Sequence, residues 1–357
     1  MEKILTIVIP AYNSQNFLGK VLDSLLEPSV ISDLDIIVVN DGSTDQTAAV
    51  CESYCEKYPE SIRLITQPNK GHGGALNTGI AAAEGKYVKV IDSDDWVETE
   101  NLPSFIEALR TYDCDAVLTH FNTFNIVDHT ITQWRSYPKE FNRPYSLEEI
   151  VKDWGAFNQI TAFHGIAYRT EFYRSTDLKL SEHVFYEDQE YCIVPFSCVK
   201  SVLPLDLVIY NYRVGDENQS MSAANLKKNI SHFQTVMNFL LEQYALLPLA
   251  DNEAGRDYYC MMVKSLLVSY LMTVMLSNAN RKEGRRQGAE IMNSMKKRLP
   301  SVYNRARMPY QVLKAMNLFG VSKGACDRIL QSDLYTKVRY KKNLTITEKK
   351  LAGSAEK

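Results

Sequence analysis

Two aspartates, Asp92 and Asp94, stand two residues apart in the motif DSDD, directly after a short apolar segment. Carboxylates with this spacing at the end of a strand can both point into one cleft, and their oxygens suit a hard divalent cation such as Mg²⁺ or Mn²⁺. A cation held there would offset the charge of a departing diphosphate. The alternative is that these residues cap a helix beginning near residues 97–102. The motif predicts metal-assisted phosphate chemistry.

Three further segments carry polar groups that could complete such a site. Asp41, in VVNDGSTD, can accept hydrogen bonds from a nucleobase or a ribose, or can serve a turn. In NKGHGGALNTG, Lys70 supplies positive charge, and the glycines would let backbone N–H groups approach a phosphate. Glu187 and Asp188 offer a general base for a hydroxyl nucleophile, or simply cap the helix that follows them.

The elements that must position these residues alternate between strand and helix. Apolar, β-branched runs predict four strands, at 4–9, 34–39, 62–66 and 86–91. Helical spacing of apolar residues predicts helices between them, the first at 16–27 and the third at about 75–84. This order is typical of a doubly wound, mostly parallel α/β sheet, in which ligands bind beyond the carboxyl ends of the strands. PAYN, NDGSTD and DSDD each follow one of these strands, so we expect them to converge.

The remainder of the chain divides into a mixed region and a helical one. A helix and a strand are predicted within 101–120, and VLPLDLVIYNYRV near residue 210 has the composition of a strand. From about residue 223 the pattern is helical. We therefore expect a first domain at 1–222, with its two halves meeting at about residue 120. A basic helical region at 223–345 and a disordered tail at 346–357 would follow.

The distribution of charge and the apolar runs indicate where in the cell the protein is expected to lie. The net charge of the 357 residues is −3, yet residues 251–357 carry +12 and the rest −15. A basic region of this kind suits an anionic membrane, or forms a solvated helical face. The apolar run 265–277 is shorter than the ~20 residues needed to span a bilayer, so a buried helix is expected. Seven cysteines without a CxxC pair indicate reduced thiols. We expect a cytoplasmic protein, with possible peripheral contact at the inner face of the membrane.

Four motifs occur in a fixed order and together resemble the bacterial glycosyltransferase family 2. They are IVIPAYN, VVNDGSTD, NKGHGGALNTGIAAAEGKYVKVIDSDDW and FYEDQEY, and the resemblance covers about residues 4–222. It implies that residues 1–222 are a GT-A catalytic domain, with a donor half at about 1–120 and an acceptor half at about 121–222. It also implies inverting transfer of a sugar from a nucleotide-diphosphate donor, usually UDP-linked. The acceptor would be a hydroxyl of a glycan or lipid-linked molecule, in cell-surface polysaccharide or glycoconjugate synthesis. Nucleic acid is not an expected partner.

Carried over position by position, the resemblance assigns roles to individual residues. Asp92 would face the ribose and sugar side and share the metal with Asp94, and Asp95 would help to shape the sugar pocket. Asp188 would be the catalytic base, with Glu187 as its neighbour. Asp41 would read the base, and the other residues assigned to the donor are Pro10, Ala11, Tyr12, Asn13, Lys70 and Asn77.

Two positions depart from the pattern of the family. Leu76 precedes Asn77 where many relatives have an arginine, so Lys70 or His72 would have to supply the positive charge near the diphosphate. Some relatives have a metal-binding histidine after the tyrosine-rich strand, where this chain has Asn218, Gln219 and Ser220. The second departure makes metal ligation from that side doubtful.

Two other functions are compatible with an acidic site in an α/β fold. A nucleotidyltransferase should show a glycine-rich basic loop directly after the first strand, which PAYNSQN lacks. A non-catalytic module that binds nucleotide-sugars need not retain Asp41, Asp92, Asp94 and Asp188 together. A catalytic glycosyltransferase is the better interpretation.

Overall fold

The computed structural model describes residues 2–216 and 229–331. It forms two compact units, divided between Met262 and Val263. The predicted boundary at residue 222 and the segment containing Asn218, Gln219 and Ser220 lie outside the described residues, as does the expected tail at 346–357.

Four parallel strands form the first half of the sheet in the order β3-β2-β1-β4. They are β1 (Leu5–Ala11), β2 (Leu34–Asp41), β3 (Ile62–Gln67) and β4 (Tyr87–Val90). Every residue of β1, β2 and β4 is buried, as expected for parallel strands covered on both faces. The predicted mostly parallel α/β sheet is confirmed.

Helices connect these strands and cover the sheet. They are α1 (Leu18–Ser24), α2 (Thr47–Lys57), α3 (Gly71–Ala82) and, after β4, α4 (Leu102–Thr111). Helix α3 begins about four residues earlier than predicted, so GHGG forms its first turn and is not a loop. At Gly79 a Cβ atom would lie 2.3 Å from Val8 Cγ1, so the absence of a side chain lets α3 pack directly on β1.

The second half of the sheet mixes strand directions. Its strands are β5 (Trp96–Val97), β6 (Ala116–Asn125), β7 (Ile131–Trp134), β8 (Ile166–Arg169) and β9 (Val202–Val214). The order continues β4-β8-β6-β9-β5, with β7 paired to β6. Strand β8 is antiparallel to both β4 and β6, and β9 is parallel to β6. The carboxyl ends of β4, β6 and β9 therefore point to the same edge of the sheet.

Short helices occupy the connections around β8. They are α5 (Leu147–Lys152), α6 (Trp154–Phe157), α7 (Thr170–Ser175) and α8 (Asp188–Ile193). A capping box of Ser146 and Glu149 starts α5, because each side chain bonds the other residue's backbone N–H. Helix α8 begins at Asp188, as the pair of acids predicts.

The described residues after 229 are mainly helical, as predicted. The helices are α9 (Ile230–Leu246), α10 (Glu253–Leu276), α11 (Arg281–Arg298), α12 (Pro300–Leu318) and α13 (Lys323–Gln331). Helix α10 contains most of the apolar run 265–277. It is long and apolar enough to cross a membrane by length and composition, but 61% of its most apolar window is buried inside the structure. A core helix passes the same test, so this is weak support for a membrane span.

Candidate active site

His72, in the first turn of α3, bridges two carboxylates from distant parts of the chain. Its Nδ1 lies 2.6 Å from Glu187 Oε1 and its Nε2 lies 2.8 Å from Asp92 Oδ1. Burial opposes a charge on the ring, but the two carboxylates raise the pKa of His72 well above its usual value. His72 is therefore an imidazolium that donates from both nitrogens. It joins the end of β4 to the start of α8.

The glycines beside His72 allow the segment 181–187 to approach α3. Gly71 has φ 76°, a conformation that favours glycine, and a Cβ there would lie 2.8 Å from His183 N. At Gly73 a Cβ would lie 2.3 Å from Ser181 O. The approach of a phosphate to the backbone N–H groups of these glycines stays a prediction. At these two positions the glycines admit the chain that carries Glu187 and Asp188.

Asp188, unlike its neighbour, is not bonded to the histidine. The Glu187 carboxylate is buried and hydrogen-bonded to His72. Asp188 is partly exposed and accepts a hydrogen bond from Gln189 Nε2 at 3.0 Å. Burial, followed by the charge of Glu187, raises the pKa of Asp188 to about 6. A carboxylate with this pKa is mostly ionised at neutral pH and is still a stronger base than an ordinary aspartate.

Asp95 is fully buried and bonded to strand β9. Its Oδ2 accepts from the Tyr210 hydroxyl at 2.5 Å and its Oδ1 from the Arg213 N–H at 2.7 Å. The same Tyr210 hydroxyl accepts a hydrogen bond from the Asp92 N–H at 3.1 Å. Asp94 is more exposed, and its Oδ2 lies 3.7 Å from Arg213 Nη1. These hydrogen bonds to strand β9 thus hold the DSDD segment in its conformation.

Among the described residues, Asp92, Asp95 and His164 form a group able to hold a metal ion. One ligand atom from each lies within 4.8 Å of the other two. Burial lowers the pKa of His164 to about 4, so its ring is neutral and has a lone pair for a cation. His164 was not predicted, because it lies within a short 3₁₀ turn, Phe163–Gly165, directly before β8, with no motif around it. Asp94, predicted as a ligand, is not in this group, and its role stays a prediction.

Lys89, on β4, is buried behind this group. Its Nζ donates to His164 O at 2.7 Å, and burial lowers the pKa of Lys89 to about 7. A buried lysine bonded to the backbone of His164 holds that residue against the sheet. The lysine in the apolar run KYVKVI was the available sequence signal, since lysine is rarely fully buried without a partner.

The residues predicted to bind the base and ribose lie at the ends of β1 and β2. Pro10 and Ala11 are the buried last residues of β1, whereas the Tyr12 side chain is 54% exposed. Asn13 has φ 51°, and its Oδ1 accepts from the Thr44 N–H at 2.9 Å. The carboxylate of Asp41 is buried, and its Oδ1 accepts from Gln67 Nε2 and the Lys70 N–H. These bonds hold the two loops and the start of α3 together.

Lys70 and Asn77 occupy different surroundings. Lys70 is exposed and immediately precedes α3. Both polar atoms of the Asn77 amide pair with the backbone of Leu180, at 2.8 and 2.9 Å. Glu190, also buried, accepts two hydrogen bonds from Ser181, and burial raises its pKa to about 7. Asn77 and Glu190 thus hold the beginning of the segment that leads to Asp188, and donor contact by Asn77 stays a prediction.

Comparison with known proteins identifies a matching family and several relatives. The family model described as "Glycosyl transferase family 2" matches residues 6–174. Glycosyltransferase GlyA of Streptococcus pneumoniae is 36% identical over 121 residues, which are 34% of this chain and 17% of that protein. The uncharacterized glycosyltransferase alr2836 of Nostoc is 29% identical over 229 residues, 62% of this chain and 68% of that protein. The matched region is therefore a small part of the first relative and about two thirds of the second.

A solved structure shares the fold. The crystal structure of residues 1–349 of S. aureus TarS in complex with UDP-GlcNAc superposes with a TM-score of 0.57 at 17% identity, covering 89% of this chain and 92% of that one. At this identity the similarity establishes the fold alone. Together with the matched family and the acidic site at the carboxyl ends of the strands, it leads to one conclusion: residues 6–174 of this chain form a glycosyl transferase family 2 domain, in a glycosyltransferase with the GT-A fold.

Proposed function

We propose that this glycosyltransferase transfers a sugar from a UDP-linked donor to a hydroxyl of a glycan or lipid-linked acceptor, with inversion, and that Asp188 is the general base. The observation that carries the proposal is the separation of roles between Glu187 and Asp188. His72 occupies Glu187 at 2.6 Å, while the pKa of Asp188 is raised to about 6. In an inverting transfer a single carboxylate must take the proton of the attacking hydroxyl as the new bond forms.

Asp92, Asp95 and His164 would hold a divalent cation beside the diphosphate. Their two carboxylates and one neutral imidazole fit Mn²⁺ better than Mg²⁺, which takes oxygen ligands almost exclusively. When bound, the cation would neutralise charge that develops on the leaving nucleotide. Within the chain, Tyr210 and the Arg213 N–H hold Asp95 in place. His72 holds Asp92.

The donor nucleotide can be tested without knowing the acceptor. The TarS complex with UDP-GlcNAc makes that compound the first one to test. UDP-, GDP- and dTDP-sugars are added to the full chain with and without Mn²⁺, and the shift in thermal unfolding is measured. A ligand at 100 times its Kd stabilises the folded state by about 2.7 kcal/mol. We expect UDP-sugars with Mn²⁺ to give the largest shift. A larger shift with another nucleotide would reject UDP.

We also propose that the enzyme works at the cytoplasmic face of an anionic membrane, on acceptors for cell-surface polysaccharide or glycoconjugate synthesis. The support is one side of α12 together with Phe319, the residue that follows it. Met308, Val312 and Phe319, spaced four and seven residues apart, are 76%, 53% and 88% exposed. The exposed basic residues of the same helix are Arg305, Arg307 and Lys314. Apolar side chains flanked by cations suit the surface of an anionic bilayer.

Co-sedimentation with vesicles tests this location. Phosphatidylglycerol vesicles should bind the full chain at low salt, and phosphatidylcholine vesicles should not, because the attraction is electrostatic and is screened over about 8 Å at physiological ionic strength. Phe319→Ser should weaken the binding. Leu246→Ser is the control, since Leu246 is similarly exposed, at 75%, but lies on α9. Equal binding to both kinds of vesicle, or none to either, would contradict the proposal.

A further inference from the structure

A row of aromatic side chains leads from the candidate metal group to the protein surface. Its members are His164, Tyr210, Tyr212, Phe121 and Trp134, and we refer to them as the aromatic row. His164 stacks on Tyr212 with ring centres 4.2 Å apart and meets Tyr210 edge-on at 4.8 Å. Phe121 lies 5.2 Å from His164, and Trp134 stacks on Phe121 at 5.8 Å with an interplanar angle of 9°. The row is thus continuous.

Strand register places the row on the face of the sheet that carries the site. Phe121 pairs with Tyr210 of β9 and with Trp134 of β7, and directly paired residues of neighbouring strands project to the same face. Tyr210 is hydrogen-bonded to Asp95 on this face. Tyr212 lies two residues after Tyr210 on β9, so its side chain projects to the same face, where it stacks on His164. One end of the row therefore belongs to the reaction centre.

His164 and Tyr212 are partly exposed at one end of the row, and Trp134 is exposed at the other. Phe121 is buried, with 5% of its surface exposed, whereas Trp134 is 37% exposed. One face of the indole is covered by Phe121, so the exposed area is available on the other side. The indole N–H lies 3.4 Å from Thr123 Oγ1, and all four residues of β7 are exposed. An aromatic face bordered by hydroxyls and open to water suits a sugar better than an alkyl chain, which needs an enclosed apolar groove.

We propose that the aromatic row is the acceptor site and that its ligand is a glycan of at least two sugar units, which stacks on Trp134. The inference rests on the proposed function, because it assigns the acceptor to the same reaction centre. Axial C–H groups of a pyranose pack on an aromatic face while its hydroxyls stay solvated. Two ring spacings separate Trp134 from His164, which allows a terminal sugar near Asp188 to be followed by a second on the indole.

The test compares binding of glycans by four versions of the full chain on a broad array of defined oligosaccharides, in the presence of UDP and Mn²⁺. They are the wild type, Trp134→Ala, Trp134→Phe and Tyr137→Ala. Tyr137 is a matched control, because it is 70% exposed and close in sequence but outside the aromatic row. We expect the wild type to prefer chains of two or more sugars over single sugars. Loss of one stacking contact should weaken binding about tenfold in Trp134→Ala, and Trp134→Phe should restore most of it.

Calorimetric titration with UDP in Mn²⁺ provides the second readout. UDP affinity should be unchanged in Trp134→Ala, which also shows that the variant is folded. If the wild type binds UDP but no glycan, or if Trp134→Ala binds glycans as well as the wild type does, the aromatic row is not the acceptor site and the proposed donor is unaffected. If the wild type does not bind UDP, the proposed donor is wrong and this inference is overturned with it.

Discussion

His72 Nδ1 lies 2.6 Å from Glu187 Oε1, although the two residues are 115 positions apart in the chain. In the proposed function this contact leaves Asp188, and not Glu187, to accept a proton from the acceptor. We expect Asp188→Asn to lower kcat by about 10²–10⁴-fold, as loss of a general base does, with little change in UDP affinity. Glu187→Gln keeps a hydrogen-bonding partner for His72 and should lose much less. The measurement is steady-state transfer with donor affinity determined in parallel. Inactivity of Glu187→Gln together with activity of Asp188→Asn would reverse the assignment.

The pH dependence of transfer should follow the same carboxylate. Because the base must be ionised and the pKa of Asp188 is about 6, kcat should rise with pH through about that value and level off above it. A pH–rate profile of the wild type between pH 4.5 and pH 8, at saturating donor, checks this. A flat profile across that range would show that a different group takes the proton.

The Asp188 carboxylate should also lower the free energy of unfolding at pH values at which it is ionised. Its folded pKa of about 6 exceeds the value of about 3.9 in an unfolded chain, so the folded state is favoured by protonation and loses stability as pH rises through 6. Asn cannot ionise, so Asp188→Asn should unfold at a higher temperature than the wild type at pH 7.5. The gain should shrink towards pH 4.5. A destabilised Asp188→Asn at pH 7.5 would mean that the carboxylate makes stronger contacts than the structure contains.

Two sets of ligands are to be distinguished for the metal ion: Asp92 with Asp95 and His164, or Asp92 with Asp94. Asp92→Asn should weaken Mn²⁺ binding by at least about tenfold, the lower end of the effect of losing even an outer-shell partner. Loss in His164→Asn but not in Asp94→Asn would place the ion with Asp95 and His164, and the reverse result would place it beside Asp94. Calorimetric titration with Mn²⁺ measures all three variants. An unchanged affinity in Asp92→Asn would contradict both arrangements.

Gly73 gives a purely structural prediction. A Cβ there would lie 2.3 Å from Ser181 O, a backbone atom, so Gly73→Ala should destabilise the fold by about 1–3 kcal/mol through overpacking. It should also displace the segment that carries Asp188. Gly155→Ala is the control, since nothing lies within 4 Å of its added Cβ. Chemical denaturation measures both variants, and equal stability of the two would contradict the close packing.

The order of elements in the first half of the sheet could be predicted from the sequence, because strands β1 to β4 are short apolar runs with polar clusters directly after them. The start of α8 could be predicted for the same reason, since its two acids precede helical spacing. The beginning of α3 could not, because Gly71 and Gly73 disfavour a helix in isolation. Only their contacts with His183 and Ser181 explain their presence there.

Neither the metal group nor the aromatic row could be predicted from local sequence patterns. His164 has no motif around it, and the bond between Tyr210 and Asp95 joins residues 115 positions apart. His72 was considered as a charge near the diphosphate. Its contact with Glu187 could not be predicted, because the two residues lie 115 positions apart in the sequence. Side chains whose function depends on such pairings can be proposed from sequence only after the strand order is known.

The pairing of Asn77 with Leu180 spans 103 residues, and β4 lies between β1 and β8 in the sheet. A nascent chain that has emerged only to about residue 120 therefore contains every motif assigned to the donor. It lacks strand β8, which pairs with β4, and the backbone of Leu180, which pairs with Asn77. In such a fragment the Asn77 amide would have no backbone partner and β4 would be an open sheet edge, which invites association with other chains. Fragments ending there should aggregate, and productive folding should wait for residues 166–193 to leave the ribosome.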